Sequence, residues 1–139
     1  MKTKPHIMYK GGFKYQLVGT YTVELPKISI ETPIITEYIW LHKSRLVIKT
    51  GYAWDGPSGI AIDTKNFMRG SLIHDVFYQL IREGHLDNSY RKVADEILKD
   101  ICLEDNMSKI RAWWVYFGVR LFAGFAAKTK NIRKVEKAP

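Results

Sequence analysis

Residues 71–80 read Ser-Leu-Ile-His-Asp-Val-Phe-Tyr-Gln-Leu, and their apolar side chains recur at spacings of three and four. This spacing predicts an α-helix with one apolar face. His74 and Asp75 stand next to each other in the middle of that face. Because neighbouring residues on a helix point about 100° apart, these two side chains must face different surroundings. We therefore expect each to have its own partners, and either to serve chemistry or to hold a loop in place.

A second helix is predicted directly after the first, so that helices over 67–83 and 88–103 are joined by a short turn. The short connection predicts that the two helices pack antiparallel. At a rise of about 1.5 Å per residue, His74 and Asp95 then lie within about 3 Å of the same height. We expect the Asp95 carboxylate to orient the His74 ring, which leaves Asp75 to face the segment before the helices.

That preceding segment, residues 51–66, is predicted to be a long irregular loop, and loops of this length are often functional. Trp54 can anchor it on the core. It contains a cluster of turn-forming residues, namely Asp55, Gly56, Pro57, Ser58 and Gly59. The glycines let backbone carbonyls converge, and carbonyls combined with carboxylates suit a hard cation such as Ca²⁺. The alternative is that Asp55 and Ser58 only cap their own turn and the following helix.

The first 50 residues are rich in the β-branched and aromatic side chains that favour strands. We predict strands over 13–25 and 28–30, the latter ended by Thr32-Pro33, and a hairpin with arms over 35–42 and 45–50. The result is an α+β fold in which three to five antiparallel strands precede the helices. One domain is predicted over 1–128, comprising a β-rich part (1–50), the functional loop (51–66), the helix pair (67–103) and an aromatic helix (108–128).

The predicted aromatic helix carries a single charge, Arg120, between Ala112 and Ala127. Sixteen residues are too few to cross a bilayer, and such helices are more often buried. The alternative is a surface helix that meets a membrane or a partner protein, because adjacent Trp113 and Trp114 with basic flanks are typical of interfacial helices. Residues 129–139 are predicted to be a flexible basic tail.

Composition narrows the function classes. The chain has 139 residues, 46% of them hydrophobic, which suits one globular domain. Its single cysteine, Cys102, excludes an internal disulfide, and polar residues 1–14 do not resemble a signal peptide. The net charge of +8 is concentrated at the two ends of the chain, which suits phosphate-rich or acidic partners. The absence of a zinc pattern or an aromatic-interleaved basic motif argues against specific nucleic-acid recognition.

The pattern His74-Asp75-x-x-Tyr78, followed by Arg91-x-x-x-Asp95, resembles the active-site helix pair of the secreted phospholipase A2 superfamily, especially its prokaryotic branch. Asp55-Gly56 falls where those enzymes have their calcium loop. The resemblance implies a catalytic group of His74 as general base, Asp95 as orienting acid and Tyr78 beside them. It also implies that Asp75, Asp55 and Gly56 bind Ca²⁺. The chain departs from the family at Ile73 and Phe77, where those enzymes have disulfide-forming cysteines.

A longer pattern resembles a family of small phage and prophage proteins. It consists of Gly51-Tyr52-x-Trp54-Asp55-Gly56-Pro57-Ser58-Gly59, Ser71-Leu72-Ile73-His74-Asp75-x-x-Tyr78, Ala94-Asp95 and Val119-Arg120-Leu121-Phe122-Ala123-Gly124. This resemblance implies a virion, tail-associated or assembly component, located in the virion or host cytoplasm, whose partners are other phage proteins or further copies of itself. Trp54, Pro57, Ser58, Gly59 and Ser71 then serve to fix the loop. Three hypotheses stay open: an assembly component, a calcium-dependent ester hydrolase, and a membrane- or partner-binding accessory in lysis or host takeover.

Overall fold

The computed structural model describes residues 7, 9–10, 15–54 and 65–133, with side chains for 7, 15–54 and 65–121. The chain has the predicted α+β organisation, with antiparallel sheets followed by three helices. The elements are β1 (Tyr9–Lys10), β2 (Tyr15–Leu17), β3 (Tyr21–Glu24), β4 (Ile30–Ile35), β5 (Ile39–Lys43), β6 (Arg45–Ile48), β7 (Ala53–Trp54), α1 (Lys65–Arg82), α2 (Tyr90–Glu104) and α3 (Lys109–Arg133).

Four of the strands form one antiparallel sheet in the order β3-β6-β5-β4. The predicted hairpin around Lys43-Ser44 is present, with His42 paired to Arg45. Alternation along β5 places Ile39 and Leu41 in the core, where they join a cluster that includes Leu72 of α1. The sheet therefore covers one side of the first helix, as the period of two in its sequence requires.

Two predicted strand boundaries are corrected by the structure. The single strand predicted over 13–25 is divided into β2 and β3, which belong to different sheets, because the chain turns at Gly19. Pro33 does not stop a strand but lies inside β4, beside a register shift between Ile30 and Ile34. Since β4 is the edge strand of its sheet, the missing N–H of the proline is tolerated there.

The beginning of the predicted loop is also corrected. Ala53 and Trp54 form β7, which pairs with β2 in a second sheet of order β1-β2-β7. Residues 55–64, which contain the predicted turn cluster, lie outside the described residues. The chain re-enters the described part at Lys65, two residues before the predicted start of the first helix.

The first two helices pack closely together. Around Gly84, the His85 N–H donates to the Leu80 carbonyl and the Gly84 N–H to that of Ile81, with Gly84 at φ 84°, which is a Schellman ending. Gly70 faces α2, where an added Cβ would lie 2.8 Å from Leu98 Cδ1. The two helices can approach closely because this position has no side chain.

The third helix is neither fully buried nor fully exposed. Ser108 caps it by accepting a hydrogen bond from the Arg111 N–H at 3.2 Å. One face is buried against α2 through Ala112, Val115 and Val119. The helix continues five residues beyond its predicted end at 128, into the predicted tail, because no proline or glycine interrupts it there. Among the described residues, no helix is long and apolar enough to cross a bilayer.

Candidate active site

His74 and Asp95 meet between α1 and α2, as the helix geometry predicts. The distance between His74 Nε2 and Asp95 Oδ1 is 2.6 Å. The Asp95 side chain is completely buried, whereas 13% of the His74 side chain is exposed to solvent. A carboxylate that is fixed in the core therefore holds one nitrogen of a ring that reaches the surface.

Two further side chains bind the same carboxylate. The Tyr78 hydroxyl donates to Asp95 Oδ1 at 2.9 Å, and Arg120 Nη1 donates to Asp95 Oδ2 at 2.8 Å. Tyr78 comes from α1, Asp95 from α2 and Arg120 from α3, so the carboxylate joins three helices. We call His74, Tyr78, Asp95 and Arg120 the Asp95 cluster.

Arg120 is the positively charged partner of the buried Asp95 carboxylate. A buried carboxylate without a cation is strongly destabilised, and Arg120 supplies that cation. The hydrogen bond to Asp95 raises the pKa of Arg120 above its ordinary value. Burial, reinforced by the negative charge of Asp95, raises the pKa of Tyr78 well above its ordinary value, so its hydroxyl stays a donor at neutral pH.

This arrangement fixes the role of each nitrogen of His74. An ionised carboxylate can only accept hydrogen bonds, so Nε2 carries the hydrogen that it shares with Asp95. In the neutral ring, the lone pair then lies on Nδ1, which has no hydrogen-bond partner among the described residues. The ring also packs against Tyr78, with centroids 4.3 Å apart. The His74 ring is thus fixed through Nε2 and Tyr78, and Nδ1 is the nitrogen that can accept a proton.

Asp75 lies on a different face of α1, next to β7. Trp54 Nε1 donates to Ser71 Oγ at 3.1 Å, and the Tyr52 hydroxyl donates to Gln79 Oε1 at 2.9 Å. Ser71 and Gln79 are four residues before and after Asp75, so all three share one helix face. The chain therefore leaves β7 toward residue 55 beside the face that carries Asp75.

Ser71 and Trp54, predicted as loop anchors, thus contact each other directly. The Ser71 hydroxyl accepts from the indole and donates to the Met68 carbonyl at 2.9 Å, so both of these buried polar groups are satisfied. The other predicted anchors, Pro57, Ser58 and Gly59, lie outside the described residues.

Calcium is the metal that the resemblance implies. Within the described parts of the chain, no three His, Cys, Asp or Glu side chains lie close enough together to hold a metal ion. The predicted oxygen donors Asp55 and Gly56 lie outside those parts, and Asp75 alone falls short of the six or more oxygen ligands of a calcium site. Calcium binding therefore stays a prediction.

Sequence reasoning missed Arg120 as a member of the site. The signal was present, because Arg120 is the only charge in a run of sixteen residues and a charge in an apolar helix requires a partner. Arg91, on the same face of α2 as Asp95, also lies within hydrogen-bonding reach of the Tyr78 hydroxyl. Its Nε atom is buried and has no partner among the described residues.

A second buried ionic group was not predicted at all. Arg69 is almost fully buried and donates from Nε and Nη2 to the two carboxylate oxygens of Asp105, at 3.1 and 3.0 Å. It also donates to Glu104 at 2.6 Å and to the Tyr21 hydroxyl at 2.9 Å. We call these four residues the Arg69 cluster. It ties α1 to β3 and to the end of α2.

Cys102, the single cysteine of the chain, is not a candidate nucleophile. It is fully buried in the interface between α2 and α3. Burial raises the pKa of its thiol to about 12, so the reactive thiolate is not formed at neutral pH. His74 is therefore the better candidate for chemistry.

Comparison with known proteins found no matching family model, no matching curated protein and no matching solved structure. The function must accordingly be argued from the arrangement of these side chains.

Proposed function

We propose that the protein is an ester hydrolase of the phospholipase A2 type, in which His74 is the general base. The observation that carries the proposal is the 2.6 Å contact of His74 Nε2 with the buried Asp95 carboxylate, while Nδ1 has no partner among the described residues. A histidine oriented by a buried acid is the arrangement that general-base catalysis requires. We propose lipid esters as the substrate class.

The reaction follows from the two nitrogens of the ring. Nδ1 of His74 takes a proton from water as the water oxygen attacks the ester carbonyl, and a tetrahedral intermediate forms. The resulting imidazolium is stabilised through Nε2 by the Asp95 carboxylate, which also accepts a hydrogen bond from Arg120. The proton then passes to the departing alkoxide as the carbon–oxygen bond breaks, which releases an acid and an alcohol. Asp95 stays ionised throughout.

Hydrolysis of phosphatidylglycerol vesicles tests this proposal. Fatty-acid release would be measured for the wild-type protein and for His74→Gln, with Ca²⁺ present and again with EGTA. We expect the variant to lose at least about 100-fold in rate, since general-base catalysis contributes about 10²–10⁴. Chelation is expected to abolish the activity if residues that precede α1 complete a calcium site with Asp75.

The matched control is His85→Gln. His85 lies in the turn after α1, and 39% of its side chain is exposed. Its rate should equal that of the wild type, and circular dichroism should show both variants folded. Absence of hydrolysis by the wild-type protein in calcium, or equal rates for the wild type and folded His74→Gln, would overturn the proposal.

The second candidate function is a phage virion, tail or assembly component in which the Asp95 cluster has only a structural role. The observation that favours it is the complete satisfaction of Asp95 by three donors, since such buried networks define a unique packing. This candidate predicts that the protein is present in purified phage particles, which immunoblotting would detect. It also predicts that His74→Gln assembles as the wild type does whenever it folds.

A further inference from the structure

The face of α3 that points away from α2 is strongly apolar. Its exposed members form a single stripe, which we call the α3 stripe: Ile110, Trp113, Trp114, Phe117 and Leu121. Successive residues on a helix are about 100° apart, which places these five within an arc of about 100°. From the first to the last, the α3 stripe extends about 16 Å along the helix.

The α3 stripe is not part of the core of this chain. The opposite face of the helix, with Ala112, Val115 and Val119, packs against α2 and satisfies the need to bury apolar surface. Trp114 and Phe117 keep more than half of their surface in solvent, at 59% and 58%. Aromatic side chains exposed in a continuous row mark an interaction surface.

The charge around the α3 stripe identifies the kind of surface that it meets. Every charged residue of α3 between Lys109 and Arg133 is a lysine or an arginine. A further cation comes from α2, where Lys99 Nζ lies 3.8 Å above the ring of Trp113. Apolar side chains flanked by basic residues complement a surface with an apolar interior and anionic groups at its border.

We propose that α3 docks on an anionic lipid bilayer and lies in the plane of its headgroups. The helix axis would run along the membrane, since α3 is not apolar enough to cross it. Trp113 and Trp114 suit the headgroup boundary, where amphipathic rings are favoured, and Lys99 would contact the phosphates. The proposal does not rest on ester hydrolysis.

Co-sedimentation with vesicles tests the lipid surface directly. The full chain would be mixed with phosphatidylglycerol vesicles and, separately, with phosphatidylcholine vesicles. We expect partitioning onto the anionic vesicles to be at least about tenfold stronger, because the attraction depends on basic side chains. Tryptophan emission should shift to shorter wavelength on binding, as Trp113 and Trp114 leave water.

The variant Trp114→Ser/Phe117→Ser removes the centre of the α3 stripe from exposed positions, so the fold should be retained. Its partitioning onto phosphatidylglycerol should fall about tenfold or more. Ile35→Ser is the matched control, since Ile35 is an exposed apolar residue of β4, far from α3 in sequence, with 67% of its surface in solvent. Its partitioning should stay within about twofold of the wild type.

Three results would overturn the proposal. The first is failure of the wild-type protein to bind phosphatidylglycerol vesicles. The second is equal binding by the folded double variant. The third is a wild-type dimer in sedimentation velocity that the double variant converts to a monomer without loss of vesicle binding, which would show that a second copy covers the α3 stripe. Unchanged melting temperatures establish that the variants are folded.

Discussion

The Asp95 cluster and the Arg69 cluster are both buried ionic networks, but only the Asp95 cluster contains a histidine. Each is centred on one buried charge that is bound by residues from two other segments of the chain. In the Arg69 cluster the centre is a permanent cation. Although burial opposes its charge, the hydrogen bonds to Asp105 and Tyr21 raise the pKa of Arg69 further above its ordinary value.

The Asp95 cluster contains a histidine, His74, whereas the Arg69 cluster contains none. A histidine is the side chain whose charge changes most readily near neutral pH, and His74 also reaches solvent. The comparison teaches that a buried ionic network becomes a candidate for catalysis only where one member can exchange a proton with a substrate.

The largest expected effect is on stability and comes from Arg69→Met. The change keeps most of the apolar volume, but it leaves the buried Tyr21 hydroxyl without its partner and the mostly buried Asp105 without its cation. Removing one member of a buried ionic group costs about 3–5 kcal/mol. Urea unfolding would measure this loss in the free energy of unfolding.

Arg45→Met is the control for that measurement. Arg45 pairs with Glu24 on the surface, where both side chains are well exposed. Exposed ion pairs contribute about 0–1 kcal/mol, so the control should be nearly neutral. Equal losses in the two variants would show that the Arg69 cluster is not a structural centre and would remove the contrast between the two clusters.

A smaller loss of stability is expected for Asp95→Asn. The amide keeps the shape of the carboxylate and one acceptor oxygen for His74 and Tyr78, but its NH₂ group faces the Arg120 donor. Arg120 is one-third exposed and can be solvated again, so we expect a loss of about 1–3 kcal/mol.

Asp100→Asn supplies the control, since Asp100 forms a more exposed pair with Lys27. Urea unfolding of both variants measures the difference. Ester hydrolysis by Asp95→Asn should be much slower than by the wild type even though the variant stays folded. The reason is that the protonated form of His74 loses the anion that stabilises it. Full activity in a folded Asp95→Asn protein would contradict the role given to Asp95.

The contact between His74 and Asp95 could be predicted from the sequence because helix geometry is regular. A constant rise per residue and a short turn at Gly84 determine which positions of α1 and α2 stand side by side. Arg120 could not be assigned in the same way. Its height along α3 depends on the turn after α2, where Asn106 adopts a positive φ of 74° that the pattern of apolar residues does not reveal.

The strands were harder to predict for a similar reason. The alternation of apolar and polar side chains continues from β2 into β3, so it does not reveal the turn at Gly19. This turn places the two strands in different sheets. Pro33 was expected to end a strand, because local sequence does not show which strands lie at an edge. Local rules therefore predicted the elements, while the connections between them decided the sheet order.

The smallest expected effect concerns alkaline pH and compares one tyrosine from each cluster. Burial is the main cause that raises the pKa of Tyr21 and also of Tyr78. Both hydroxyls therefore hold their protons more tightly in the folded chain than in the unfolded chain. The stability that they contribute is fully present below pH 10 and is lost as the pH rises above 10 toward the folded values.

Tyr21→Phe and Tyr78→Phe test this dependence by urea unfolding between pH 8 and pH 11. Each should cost about 0.5–1.5 kcal/mol at pH 8, because one hydrogen bond is lost. The difference in the free energy of unfolding from the wild type should then shrink as the pH rises above 10, since only the wild-type protein has that tyrosine to deprotonate.

The two tyrosines differ in the charge beside them. For Tyr78 the charge of Asp95 adds to the effect of burial on the pKa, whereas for Tyr21 the Arg69 cation opposes it. Above pH 10, the free energy of unfolding should therefore fall less in Tyr78→Phe, which lacks Tyr78, than in Tyr21→Phe, which keeps it. The reverse order would contradict the contribution of the Asp95 charge to the raised pKa of Tyr78.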